Sequence, residues 1–376
     1  ISATGGVVSG FTGSGTTYSF VFTPTSSSTA PMLIQVLAGV FSDAVGNLNT
    51  ASTALTATVD TVIPVVSSVS SPTANGSYRA GSAIDIAVTF SKNVVVTTSA
   101  GSPTLLLETG STDRLASYVG GTGTSVVTFR YVVQAGDVSN DLDAQSTSAL
   151  VLNGGFIKDV SGNDAVLTLA SPGANNSLGL AKAIVIEGIL PTITAFSSST
   201  ADGTYAIGAT VNISATTSEA IRSGNTITVT LNTGATVTLT AASAGTSLTG
   251  TYIVSSGQSS SDLTVSSFTI GTVRDTAGNA MTSTTVPSGS SNIGGAKAIV
   301  IDGVVPTMTV SASPTSVSSG GTSTITFTAS EATTTFALAD VSATLGTLSN
   351  FQSASSTSYS ATFTASPSVG GTAVVT

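Results

Sequence analysis

Ile84-Asp-Ile-Ala-Val-Thr-Phe90 alternates without a break: Ile84, Ile86, Val88 and Phe90 fall on one side of an extended chain, and Asp85, Ala87 and Thr89 on the other. A period of two marks a strand with one face in a core and the other toward water. Similar runs lie around it: Thr104-Leu-Leu-Leu107, Val126-Val-Thr-Phe-Arg-Tyr-Val-Val133, Ala149-Leu-Val-Leu152, Ala165-Val-Leu-Thr-Leu169 and Ala183-Ile-Val-Ile186. Glycine-rich turns separate them. Roughly seven or eight short strands in one domain-sized stretch read as a β-sandwich.

Composition agrees. Of 376 residues, 40% are apolar and only 7% charged. Thr and Val, which favour strands, and Gly and Ser, which favour turns, fill the difference. The chain is too long for one core, so two to four domains are expected. It lacks cysteine, histidine and tryptophan. Disulfides and thiolate metal sites are therefore excluded, and the commonest general base and transition-metal ligand are missing. Nine basic residues against eighteen acidic ones give a net charge of −9, which argues against nucleic acid as a partner and leaves hard divalent cations open. No apolar run reaches the length of a membrane-spanning helix. The chain begins with Ile1 and starts and stops in mid-pattern, as if cut from a longer protein.

Further out from residue 84 the pattern repeats. Ala201-Asp-Gly-Thr-Tyr205 answers Ala74-Asn-Gly-Ser-Tyr78, Val211-Asn-Ile-Ser-Ala215 answers Ile84–Val88, and Arg274-Asp-Thr-Ala-Gly-Asn279 answers Lys158-Asp-Val-Ser-Gly-Asn163. Ser256-Gly-Gln-Ser-Ser-Ser-Asp-Leu263 answers Ala135-Gly-Asp-Val-Ser-Asn-Asp-Leu142. A second repeat type occupies the two ends. Val341-Ser-Ala-Thr and Phe351 match Ile1-Ser-Ala-Thr and Phe11, and Tyr359-Ser-Ala-Thr-Phe363 matches Tyr18-Ser-Phe-Val-Phe22. Three junctions punctuate the series: Asp60-Thr-Val-Ile-Pro64, Glu187-Gly-Ile-Leu-Pro191 and Asp302-Gly-Val-Val-Pro306. In each, an apolar run ends in a carboxylate, and a proline, which cannot donate to a ladder, follows. The expected organisation is a partial domain at 1–63, sandwiches at 64–188 and 189–303, and a partial domain at 304–376.

The Asp/Asn-Gly-Thr/Ser-Tyr opening, the Gly-Asp-x-x-x-Asp-Leu segment, Asp-x-x-Gly-Asn and the closing Ala-Lys-Ala-Ile-Val-Ile-Asp/Glu-Gly resemble bacterial immunoglobulin-like or cadherin-like repeats of giant secreted or cell-surface proteins. Ser-Glu331-Ala and Phe-Ser-Asp43-x-x-Gly-Asn47 in the end units resemble a second bacterial immunoglobulin-like type. The resemblance implies tandem sandwiches strung end to end in adhesins, surface-layer or sheath proteins, with calcium at domain junctions.

Four groups of residues are candidate calcium ligands, because that ion takes six to eight oxygens from carboxylates, amides and carbonyls. They are the junction carboxylates Asp60, Glu187 and Asp302; the Asp-x-x-Gly-Asn pairs Asp43/Asn47, Asp159/Asn163 and Asp275/Asn279; the acidic cluster Asp137, Asp141 and Asp143; and Glu219 and Glu331 after strands that lead to a domain pole. A capped turn and a solvated loop are the plain alternatives for the second and third groups. Lys92 stands where Glu219 stands one repeat later, and an ammonium there would pair with the carboxylates in place of a metal. The Thr-x-Thr runs at Thr226–Leu231 and Thr236–Thr240 read as wetted strand faces, with glycan or ice binding as the sharper alternative. Catalysis finds little support: Lys92, Lys158, Lys182 and Lys297 are the only lysines that could serve as a base. The expected role is a non-enzymatic, extracellular rod stiffened by calcium. The alternatives are a self-assembling subunit packed against identical chains in a filament, sheath or surface layer, and a module that binds surface glycans.

Overall fold

The computed structural model describes all 376 residues, Ile1–Thr376. The chain is nearly all β, with two one-turn helices at Leu178–Ala181 and Ile293–Ala296. It divides into two compact units. One comprises Ile1–Thr192 with Glu219–Arg222 and Val273–Thr282; the other comprises Ile193–Ser218, Ser223–Thr272 and Ser283–Thr376.

The first unit begins with β1 (Ser2–Thr4), β2 (Gly6–Ser14), β3 (Thr17–Pro24), β4 (Met32–Gln35) and β5 (Leu55–Ala57). They form a three-stranded sheet, β1-β4-β5, and a two-stranded ribbon, β2-β3. There follow β6 (Val66–Ser70), β7 (Gly76–Arg79), β8 (Ala83–Thr97), β9 (Thr104–Leu107), β10 (Arg114–Gly120), β11 (Thr124–Val132), β12 (Val138–Ser139), β13 (Leu150–Val151), β14 (Phe156–Lys158) and β15 (Ile184–Glu187). One sheet runs β13-β9-β10-β11-β8-β14 with β6 also on β8; the other runs β12-β15-β7. The two share one core, in which Ile84, Ile86 and Val88 of β8 meet Phe129 and Tyr131 of β11 and Ile184 and Ile186 of β15. The alternation at 84–90 is therefore the buried face of the central strand. Antiparallel pairing sets Val88 against Val127 and Ile86 against Phe129, so both strands present apolar side chains to the same side.

The second unit contains β16 (Ile193–Ser197), β17 (Gly203–Ala206), β18 (Thr210–Ile221, whose last three residues belong to the first unit), β19 (Thr226–Leu231), β20 (Thr236–Thr240), β21 (Gly245–Ile253), β22 (Ser259–Ser260), β23 (Val265–Thr272) and β24 (Ile299–Asp302). The sheets β16-β18-β21-β20-β19-β23 and β17-β24-β22 reproduce the pattern of residues 66–187. The parallel pair of β7 with β15 returns as β17 with β24. Thr226, Thr228 and Thr230 lie opposite Thr240, Thr238 and Thr236 on the face away from the core. The last strands are β25 (Met308–Ser313), β26 (Thr322–Ala329), β27 (Gly346–Ser355) and β28 (Ser358–Ala365), in the order β25-β26-β28-β27. Ile325, Phe327, Tyr359, Ala361 and Phe363 form their core.

Three local expectations change. Ala165–Leu169 is not a ladder strand: Val166 makes one parallel bridge to Val65, and its N–H reaches Pro64 O at 2.8 Å. The apolar pattern there reports packing of Ala165, Leu167 and Leu169 on the core rather than ladder pairing. The runs at 54–59 and 149–152 shorten to Leu55–Ala57 and Leu150–Val151. Lys92 and Glu219 do not follow their strands but lie within β8 and β18, which continue past them.

Candidate functional site: the carboxylate junctions

Each Asp-x-x-Gly-Asn segment closes into the same turn. Asp43 Oδ1 accepts from the N–H groups of Val45 and Asn47 at 3.0 and 2.9 Å, and Asp43 Oδ2 from Asn47 Nδ2 at 2.8 Å. Asp159 and Asp275 repeat both bonds with Asn163 and Asn279. The glycine supplies φ of 97°, 90° and 103° at Gly46, Gly162 and Gly278, which a side chain would strain. The asparagine amides beside Asp43 hold its carboxyl below the usual range. What differs between the copies is what the turn meets.

At the first junction it meets an ammonium. Lys92 Nζ lies 2.6 Å from Asp60 Oδ2, 2.8 Å from Asp159 Oδ2 and 2.9 Å from Val62 O. The Asp159 side chain is fully buried, while Lys92 and Asp60 are 24% and 22% exposed. Asn163 Nδ2 donates to Asp60 O at 3.0 Å and Ser161 Oγ to Asp60 Oδ2 at 3.2 Å. Burial pushes the Asp159 carboxyl up, but the Lys92 ammonium and the Asn163 donors outweigh it and hold it at about 2. Lys92 likewise depresses Asp60, and the two carboxylates raise Lys92. Asp60 and Asp159 thus share an internal cation.

At the second junction Glu219 takes the place of Lys92. Asn279 Nδ2 donates to Glu187 O at 2.8 Å, as Asn163 does to Asp60 O, and Asn279 Oδ1 accepts from Ala80 N at 2.8 Å. The asparagine is 2% exposed and joins Ala80, just past β7, the end of β15 and the Asp275 turn. Arg79 and Arg274 donate to Gly278 O at 3.3 and 2.9 Å, and Arg222 to Thr276 O at 3.1 Å. Burial pushes the Glu219 carboxyl above its usual range, and the negative charges of Asp275 and Glu187 push it further. Replacing Asn279 with alanine is expected to cost about 2 kcal/mol, because Ala80 N loses its acceptor, and Asp275 Oδ2 and Glu187 O lose their amide donor, in a largely buried place. Thermal unfolding of the variant checks this.

At the third junction Ser330 and Thr307 form the rung that Ser91 and Val65 form at the first, which puts Glu331 where Lys92 stands. Glu331 Oε1 is buried without a hydrogen-bond partner. Asp302 is exposed and accepts from Val304 N at 3.3 Å.

Within the acidic cluster, Asp137 and Asp143 have separate partners. Asp137, 1% exposed, takes Arg114 Nε at 2.8 Å, Tyr131 OH at 2.7 Å and Gln134 N at 2.8 Å. Burial and the adjacent Asp137 charge raise the Tyr131 hydroxyl far above its normal value. Asp143 accepts from Ala144 N and Gly173 N at 2.7 and 2.8 Å. Asp141 and Asp143 flank Gly179: a Cβ there would lie 3.5 and 2.9 Å from their Oδ2 atoms. One repeat later Gln258 Oε1 accepts from Tyr252 OH and Ser255 N, both at 2.8 Å, the same two bonds that Asp137 receives. A neutral amide oxygen does this work without a guanidinium, so the position is a loop clasp. The Asp-to-Gln exchange was the sequence signal for it. Arg114 and Arg79 carried no such signal, since each reaches its partner from a distant strand. Tyr131→Phe is expected to cost about 1 kcal/mol, read as a shift in the urea midpoint at constant slope.

Nowhere do three or more Asp or Glu side chains gather into a group that could hold a metal ion by themselves. No helix is long and apolar enough to cross a membrane.

Residues 302–376 match the family of the bacterial Ig-like domain. No curated protein matches the chain. The matched segment is similar to a bacterial Ig-like domain, and the nearly all-β architecture of the chain is consistent with Ig-like β-sandwiches. Modules of this class are typically non-catalytic, structural or surface elements, often of extracellular proteins.

Proposed function

We propose that the chain is a segment of an extracellular rod: two sandwiches at 64–188 and 189–303, flanked by parts of further domains at 1–63 and 304–376, serving as an adhesin stalk or spacer. The observation that carries this reading is the Asn279 amide. It fastens the turn at 275–279 to Ala80 N and Glu187 O, 199 and 92 residues away in sequence. A side chain that bonds two distant backbone groups at a junction opposes bending there, whereas a bare linker would leave relative motion free.

Calcium is part of the proposal at two of the three junctions. The first does not fit the ion, because the Lys92 ammonium already neutralises Asp60 and Asp159. The second and third fit it better. Glu219 is disfavoured as an anion by its surroundings, and Glu331 has a buried oxygen without a partner. Glu219 with Glu187 or Asp275 at the second junction, and Glu331 with Asp302 at the third, would hold calcium, with most of its oxygens coming from backbone carbonyls. Bound there, it would supply the positive charge that Lys92 supplies at the first. Small-angle scattering of the full chain with and without a strong chelator tests the proposal. The expected result is a shorter maximum dimension and greater flexibility after chelation. An unchanged profile would refute the calcium part, and a flexible profile with calcium present would refute the rod.

A further inference from the structure

Three of the chain's nine basic residues converge on one turn. Arg79 ends β7, Arg222 directly follows β18, and Arg274 precedes the turn at 275–279. Gly278 O accepts from both Arg79 Nη1 and Arg274 Nη1, and Thr276 O accepts from Arg222 Nη2. Gly278 is the buried floor between them: a Cβ there would lie 3.1 Å from Arg222 Nη2 and 3.7 Å from Arg79 Nε. All three arginines are exposed. Arg79 and Arg222 meet backbone carbonyls rather than carboxylates, so most N–H groups of these two guanidiniums are left for an outside acceptor. The carboxylate of the turn, Asp275, is 1% exposed and is taken by Gly278 N and Asn279.

The preceding repeat closes the same turn without this gathering of charge. Val95 lies three residues past Lys92, as Arg222 lies three past Glu219, and Lys158 stands where Arg274 stands. Lys158 pairs with Val95 in the ladder, and Arg222 N donates to Arg274 O. Lys158 also bridges to Asp164 and holds its carboxylate at 3.0 Å, whereas the residue bridged to Arg274 is Ala280. One copy thus has a lone cation with a carboxylate opposite it. The other has three guanidiniums, two of them on one carbonyl oxygen, where that carboxylate is replaced by a methyl group. Like charges held this close repel, and a bound anion would relieve the repulsion.

We propose that Arg79, Arg222 and Arg274 form a binding site for an oxyanion, a sulfate or carboxylate group, carried by an acidic polysaccharide. Guanidinium forks match both groups and hold them through paired N–H bonds. A net charge of −9 repels nucleic acid and other densely charged polyanions, so so compact a site suits single charged groups spaced along an otherwise neutral sugar chain. The site uses none of the carboxylates assigned to calcium and does not rest on the rod.

The test is affinity electrophoresis of the full chain, with chelator present so that calcium cannot bridge, through gels containing lightly sulfated, lightly carboxymethylated or plain dextran. One or both charged dextrans are expected to retard the chain, and plain dextran to leave it unaffected. Arg222→Val, which copies the residue of the preceding repeat, should weaken binding about tenfold. Arg79→Gln should do the same, which keeps the comparison intact if the first variant melts lower than the parent. Lys158→Gln removes one positive charge at the first junction and should leave binding unchanged. No retardation by either charged dextran, equal retardation of the parent and both arginine variants, or an equal loss in Lys158→Gln overturns the proposal. Free sulfate that competes as well as the same concentration of dextran-borne sulfate overturns the assignment to a polysaccharide.

Discussion

Lys92→Met is expected to lower stability by about 2–3 kcal/mol, toward the low end for a broken buried ion pair because Lys92 and Asp60 are partly wetted. The substitution keeps most of the aliphatic stem and removes the ammonium alone. Asp159, whose side chain is fully buried, would then face Asp60 with no cation between them. The Asn163 amide and two backbone N–H groups remain, so the turn keeps its shape while its charge is left uncompensated. A melting temperature lower by about 10 °C corresponds to this loss for a domain of this size. Lys92→Met with Asp159→Asn should recover part of it, since the second change removes the stranded charge. A single variant that melts within a degree of the parent would show that the triad contributes nothing. The pH dependence has a definite sign. Asp60 and Asp159 have folded pKa values below their unfolded ones. Their contribution is therefore present above the ordinary carboxylate range and is lost as pH falls from about 4 toward 2. Lys92→Met should flatten that acid limb.

Legibility in the sequence followed the range of the interaction. The alternation at 84–90 announced a strand buried on one face, and the core puts Ile84, Ile86 and Val88 at zero exposure. The repeats announced the recurring sheets, because a turn such as Asp159–Asn163 is built from residues four apart. Even the pairing of Lys92 was readable, since its position is occupied by Glu219 in the next repeat. What could not be read were bonds whose partners are brought together only by the fold. Arg114 reaches Asp137 from β10, and Arg79 and Ala80 reach a turn nearly two hundred residues later. Without them Asp137, Asp141 and Asp143 looked like one cluster, although the carboxylates of Asp137 and Asp143 are held by different donors. Ala165–Leu169 shows the opposite limit: its apolar pattern reports burial, not the ladder bonds that define a strand.

Glu219→Lys is the variant that separates the two kinds of junction. With the parent chain, adding calcium to a hundred times its dissociation constant is expected to raise stability by about 2.7 kcal/mol, and chelation to remove it. With lysine at 219 the ammonium would stand toward Glu187 and Asp275 as Lys92 stands toward Asp60 and Asp159. The junction would then be locked without a metal, and the response to chelator should shrink to whatever Glu331 and Asp302 contribute. The pH response should invert as well. In the parent chain without calcium, Glu219 has a folded pKa above its unfolded value, so its ionisation opposes folding and acidification relieves that cost. Lysine at 219 would instead favour the ionised neighbours, and acid would weaken the junction as it weakens the first one. Melting curves at several pH values, with calcium and with chelator, read both effects in one series. Equal chelator responses in parent and variant would move the ion away from the second junction, and no response in either would remove it from the rod altogether.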